Sequence, residues 1–220
     1  MKIPTRGNGI MNDITKEKND MTENENGIAE KKNGVAKKSS KKASDEVKNE
    51  NNRCPSKIKK PRGTKNDYPE GSDEYYMSLA LKQGELAAKK GEVPIGAVVV
   101  FGNEIISSAR NEREEKGLAT GHAELLAIEK ACRVFRDWRL ERCTLYVTLE
   151  PCPMCLGAAV NARIPRVVFG ASDKAGGACG SCINMHEYNI CNHRLSVTGG
   201  VLGTQCSEIL KNYFRSLRKS

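Results

Sequence analysis

No leucine, phenylalanine or tryptophan occurs in the first 70 residues of this 220-residue chain, a stretch dense in lysine, asparagine, glutamate and serine. A segment so poor in large apolar side chains buries too little surface to offset the entropy lost on ordering. The sequence therefore predicts a disordered extension over 1–70 and one folded domain over 71–220. Long hydrophobic runs are missing too. No window approaches the ~20 apolar residues of a membrane-spanning helix, and the N-terminus shows no apolar core of a secretory signal. A cytoplasmic protein with no membrane partner is expected. Organellar transit peptides are poor in acids, whereas Asp13, Glu17, Asp20, Glu23, Glu25 and Glu30 are scattered through this segment. Aromatic residues are absent between Lys31-Lys32, Lys37-Lys38, Lys41-Lys42 and Lys57 to Lys60, so these lysines can hold phosphates but cannot stack bases. A solvated tail and an RNA-binding arm both remain open for them. The nine cysteines are odd in number and stand outside any secretory context, which argues for reduced thiols over a disulfide framework. No internal repeat is present.

The net charge is +9, of which about +6 falls in the first 70 residues, leaving the folded part mildly basic. Ser72 is placed to cap a helix with Asp73 and Glu74 in its first turn. Apolar and small residues from Met77 to Ala88 recur at helical spacing until Gly91 ends the run. Ile95 to Phe101 reads as a strand, Gly102-Asn103 as a hairpin turn, and Glu104 to Ser107 as an antiparallel return strand. Leu125 to Ala131 follows a helical pattern, Thr144 to Leu149 reads as a buried strand, a helix opens near Cys152, and Arg166 to Phe169 is a further short strand. Strands alternating with helices predict a three-layer α/β/α domain.

His122-Ala123-Glu124, followed by Pro151-Cys152-Pro153-Met154-Cys155, carries the chemistry. His122, Cys152 and Cys155 offer three zinc ligands, one fewer than a closed structural site needs, so a position remains for water. Glu124 lies beside the metal without binding it and suits a carboxylate that takes a proton from the activated water and passes it to a substrate. Cys152 and Cys155, at i and i+3, project from one side of a helical first turn, where the helix dipole favours thiolate. His122 and Glu124 would diverge on a regular helix, so they are expected at its irregular start. This arrangement resembles the signature of zinc-dependent nucleobase deaminases.

Three flanking blocks narrow the resemblance: Glu92-Val93-Pro94-Ile95-Gly96-Ala97-Val98-Val99-Val100, Thr148-Leu149-Glu150-Pro151 leading into the cysteines, and Arg166-Val167-Val168-Phe169-Gly170-Ala171-Ser172-Asp173. With Asn192-His193-Arg194 and the ending Tyr213-Phe214-Arg215, the chain over about residues 72 to 218 resembles bacterial tRNA-specific adenosine deaminases. The resemblance implies a cytidine deaminase-like fold with a five-stranded mixed sheet between helices, a homodimer, and one Zn2+ per subunit. It implies conversion of adenosine to inosine at the wobble position of an arginine tRNA anticodon stem-loop. It also implies substrate contacts at Asn111, Pro94, Asp173, Tyr213, Phe214 and Arg215. Two alternatives stay open: a free-base or nucleoside deaminase acting on guanine or cytidine, and a zinc-stabilised RNA-binding module without activity. One departure from the family pattern is Cys179-Gly180-Ser181-Cys182, with Cys191 and His193 soon after. It reads either as packing thiols or as a second, structural zinc site. His186 is expected on the surface.

Overall fold

Ser72 opens the first helix, α1 (Asp73–Lys89), by accepting a hydrogen bond from the Tyr75 amide at 3.1 Å, with Asp73 and Glu74 complementing the positive end of the helix dipole. In this computed structural model the described residues are 67–188 and 193–218. The extension expected over 1–70 lies almost wholly outside them, as do Cys191 and Asn192.

After α1 the chain forms strands β1 (Gly96–Phe101) and β2 (Glu104–Arg110), joined by a tight turn in which Gly102 takes φ +59°, a conformation that favours glycine. A short helix α2 (Arg113–Lys116) leads to α3 (Ala123–Phe135), then β3 (Cys143–Leu149), α4 (Pro153–Asn161), β4 (Arg166–Ala171), β5 (Ser196–Thr198) and α5 (Gly203–Leu217). The sheet order is β2-β1-β3-β4-β5, antiparallel across β2/β1 and β1/β3 and parallel across β3/β4 and β4/β5. This is the mixed five-stranded sheet that was expected. The derived strands each extend by one to three residues at an end, except β1, which begins one residue later. α2 and β5, four and three residues long, are too short to leave a periodic signal.

Alternation along the strands divides the core. Ala97 and Val99 of β1, Leu145 and Val147 of β3, and Val167 and Phe169 of β4 pack with α3 and α4 on one face. Val98, Val100, Tyr146 and Val168 pack with α1 and α5 on the other. Two glycines permit close approach. A Cβ on Gly96 would lie 2.0 Å from the Ala80 carbonyl oxygen of α1, and one on Gly170 would lie 2.3 Å from Cys206 Sγ of α5. Among the described residues no helix is long and apolar enough to cross a membrane.

An ion pair ties α1 to the parallel half of the sheet. Arg166 donates from Nη1 and Nη2 to the two Asp73 carboxylate oxygens at 2.8 and 2.6 Å, and Tyr146 Oη donates to Oδ1 at 2.9 Å. The Arg166 guanidinium, against a smaller opposing effect of burial, holds the Asp73 carboxyl below its ordinary range. A carboxylate whose pKa is depressed on folding contributes stability above the unfolded-state value of about 3.9, and this is lost as pH falls through the lower folded value. Asp73→Asn is therefore expected to lower the urea midpoint at pH 7. The difference, modest because the pair is partly solvated, should shrink as pH falls from the unfolded-state value through the lower folded one. A gap constant across pH would show that the ion pair contributes nothing.

Candidate active site

The topology gathers the site at one end of the sheet. β3 and β4 run parallel and finish together, Leu149 opposite Ala171, and the Glu150 amide continues the pairing onto the Ala171 carbonyl at 2.8 Å. β1 runs antiparallel to β3, so its beginning lies at that same end, where the Gly96 amide donates to Thr148 Oγ1 at 3.1 Å. β2 ends beside Gly96, and the Asn111 amide donates to the Ile95 carbonyl at 2.9 Å. Pro94, Asn111, Pro151 and Asp173 are thus brought to the carboxyl ends of the parallel strands, the usual location of sites in open α/β sheets.

Two helices begin there. His122 caps α3 with extended backbone angles, φ −76° and ψ 144°, so it stands outside the helix while Glu124 lies within its first turn, which accounts for how residues two apart can share a site. Cys152 caps α4 in the same way, Pro153 occupies its first turn, and Cys155 follows one turn on. His122 Nδ1 lies 3.5 Å from Cys155 Sγ and 3.9 Å from Cys152 Sγ, and all three ligand atoms fall within 4.8 Å of one another. Tetrahedral zinc with ordinary Zn–N and Zn–S bonds places nitrogen and sulfur about 3.6 Å apart, so the trio has the right dimensions for that ion.

Electrostatics fit the same group. The Cys155 thiol and the His122 ring hydrogen-bond to Cys152 and, against burial, bring its thiol down to about 4, while Cys155 itself is pushed up by its contact with Cys152 and by burial. The Cys152 contact likewise raises the His122 pKa. One thiolate, one thiol and an imidazole are therefore gathered together, a donor set selective for borderline-soft cations. Glu124 is 4 % exposed, its Oε2 has no hydrogen-bond partner among the protein groups, and its carboxyl hydrogen-bonds with Cys155. Burial pushes its pKa upward. An unpartnered oxygen on a buried acid is costly unless a ligand engages it.

Two buried carboxylates beside the site received no role in the sequence reading. Glu150, directly after β3, accepts hydrogen bonds from the amides of Cys179 and Ser181 at Oε1 and of Asp173 at Oε2, between 2.9 and 3.0 Å. It thereby fixes the loop from Asp173 to Ser181 against the turn that bears Cys152. Glu92, between α1 and β1, accepts from Asn111 Nδ2 and from the Glu115 amide. The available signal was a lone acid at the edge of an apolar strand, a position at which a charge is kept only when it is paired.

The remaining expected residues fall as follows. Pro94 is buried, its carbonyl packed against Gly84 of α1, and Asp173 turns the chain by accepting from the Ala175 amide at 2.9 Å. Tyr213 Oη donates to the Gly91 carbonyl at 2.7 Å, Phe214 is 44 % exposed, and Arg215 donates to Asn212 at 3.3 Å on the exposed side of α5. Cys179 is buried and Cys182 exposed, and His193 Nε2 is engaged at 2.9 Å by the Ile164 carbonyl. Among the described residues only His122, Cys152 and Cys155 form a group able to hold a metal. Of the second cluster, Cys191 lies outside those residues. His186, expected on the surface, is half-buried in a 3-10 turn over Met185–Glu187.

Residues 71–218 match the model of the MafB19-like deaminase family. The chain is 50 % identical over 147 residues to a tRNA-specific adenosine deaminase of Bacillus subtilis, covering 67 % of this chain and 91 % of that one. It is 45 % identical over 147 residues to a tRNA-specific adenosine deaminase of Aquifex aeolicus, covering 67 % and 97 %. A solved structure from studies of A-to-I editing by tRNA:A34 deaminases at the wobble position matches with a TM-score of 0.60 and 40 % identity over 61 % of this chain and 98 % of that one. A guanine deaminase from Nitrosomonas europaea, 22 % identical with a TM-score of 0.55 over 65 % and 85 % of the two chains, shares the fold.

Proposed function

The chain belongs to the tRNA-specific adenosine deaminases, a membership resting on relatives up to 50 % identical across nearly their whole length, and from that premise we propose how its own residues carry out the reaction. The reaction is hydrolytic conversion of adenosine to inosine at the wobble position of a tRNA, with an arginine anticodon stem-loop as substrate. The observation that carries the mechanism is a buried Glu124 with a free carboxylate oxygen beside a three-ligand group.

A zinc ion held by His122, Cys152 and Cys155 would supply, when bound, a water acidified from about 15.7 towards roughly 7. Glu124 accepts the proton of the attacking water at Oε2 and delivers it to the purine ring as C6 is attacked. A second transfer through the same carboxylate lets the amino group depart as ammonia, so adenosine and water give inosine and ammonia. Burial, which raises the Glu124 pKa, suits a group that must hold and release a proton near neutrality. Asn111 orients the base, and the loop tied down by Glu150 presents Asp173 at the same end of the sheet.

A base in a single-stranded loop leaves its stack at a cost of a few kcal/mol or less, which favours the anticodon loop over duplex. Exposed Phe214 with Lys211 and Arg215 on α5 and Arg218 at its C-terminal cap supports contact with that loop through stacking and phosphate charge. Exposed Met154, Ile183 and Tyr188 lie on α4 and the segment whose Met185 packs against Gly157, which supports a second copy covering this face in a homodimer. We place the enzyme in the cytoplasm, where its substrate is.

The test is product analysis on a synthetic arginine anticodon stem-loop beside free guanine and free cytidine. Inosine formation with a kcat/KM at least about 10³-fold above that for either free compound is expected. Faster turnover of guanine or cytidine would reject the tRNA assignment, and absence of ammonia from every substrate would reject the enzyme.

A further inference from the structure

Glu92 is 1 % exposed, and the recorded partners of its carboxylate are both neutral donors: Asn111 Nδ2 reaches Oε2 at 3.1 Å and the Glu115 amide reaches Oε1 at 2.7 Å. A carboxylate can only accept, so it dictates which end of the Asn111 amide faces it. The nitrogen must point towards Glu92 and the oxygen away. The carboxylate is itself anchored. Its own amide donates to the Ala87 carbonyl at 3.1 Å at the end of α1, and the carbonyl of neighbouring Gly91 is held by Tyr213 of α5. The second oxygen fixes α2 through the Glu115 amide. Glu112, the residue before α2 and next to Asn111, donates its amide to the Gly121 carbonyl at 2.9 Å, immediately before His122.

We propose that Glu92 is a positioning residue that sets the orientation of the Asn111 amide, and through it the set of hydrogen-bonding groups offered to the nucleobase. This inference rests on the reading above that Asn111 meets the substrate. A neutral hydrophobic residue at position 92 would avoid burying charge, yet would leave Asn111 free to turn either end to the base. A buried acid removes that freedom by electrostatics, since the alternative sets an amide oxygen against a carboxylate oxygen. Glutamine at 92 keeps the shape and inverts the logic. With its oxygen still accepting from the Glu115 amide, its nitrogen faces Asn111, which must then turn its own oxygen inward and present its other end to the base.

The experiment measures inosine formation on the anticodon stem-loop by wild type, Glu92→Gln, Asn111→Ala and the double variant, with zinc content and unfolding midpoint alongside. Glu92→Gln is expected to lower kcat/KM about 10- to 100-fold, the size of leaving desolvated polar groups unpaired at the Asn111 contact with the base, with KM raised and zinc content unchanged. A mere loss of folded protein would leave KM where it was. In the Asn111→Ala background the same substitution should change kcat/KM by less than about 2-fold, because its target is gone. Wild-type kcat/KM in Glu92→Gln, or an equal loss in both backgrounds, overturns the inference. An inactive wild type would instead overturn the deaminase reading beneath it. The contact is also checked without turnover. Asn111→Asp sets two carboxylates against each other and should lower the unfolding midpoint, and adding Glu92→Gln should restore it. No recovery in the double variant overturns the pairing.

Discussion

Replacing Glu124 with alanine is expected to reduce inosine formation by about 10³-fold or more while leaving about one zinc per chain. The carboxylate sits within the first turn of α3, buried and with an oxygen unpartnered by the protein, and it is not one of the three ligand side chains. Removing it therefore deletes the proton carrier and leaves the ligand set. Loss of a partly unsatisfied buried acid should also leave thermal stability unchanged or raised, since its desolvation no longer opposes folding. Glu124→Gln separates volume from chemistry. It fills the same space but cannot exchange a proton, so it should be as inactive as alanine. Turnover within a few-fold of wild type in either variant would remove Glu124 from the mechanism.

Cys152→Ala is expected to fail at the preceding step. Two donors remain, zinc falls to well below half an equivalent per chain after dialysis, and deamination drops about 10³-fold or more. The fold should persist, because the apolar clusters on both faces of the sheet are built from side chains of β1, β3, β4 and four helices and do not require the ion. Near-native circular dichroism together with lost metal is the expected pair of results. This differs from a closed structural zinc site, whose loss unfolds the domain. Stoichiometric zinc in the variant would show that the ligand set is wrongly assigned.

The group able to hold a metal was legible because two short motifs combine soft donors, a proline at a helix start and a free acid, and each of these has a local physical reason. The same holds for α1, whose serine cap, acidic first turn and terminal glycine are all nearest-neighbour signals. Glu150 and Glu92 were not assigned roles, since their place at the edge of an apolar strand signals a paired charge but not which groups pair with it. Their function is to accept amide hydrogens from segments far along the chain. The edge strand β5 escaped for a related reason. Three residues, Ser196 to Thr198, form a strand only because β4 is already there to pair with them. Asp73 likewise read only as an acid in the first turn of α1, and its second role as the partner of Arg166 joins residues 93 apart in sequence.

By itself, then, the sequence determined the chemistry available: which side chains are able to donate to a metal, which is able to carry a proton, and where helices and strands begin, because those properties depend on residue type and on neighbours a few positions away. Only the tertiary structure decided that the ends of β1, β2, β3 and β4 meet, that His122 comes within 4 Å of both cysteines, and that Asn111 donates to a buried Glu92. These are consequences of strand order and burial. Distance and dielectric environment are set by how the whole chain packs.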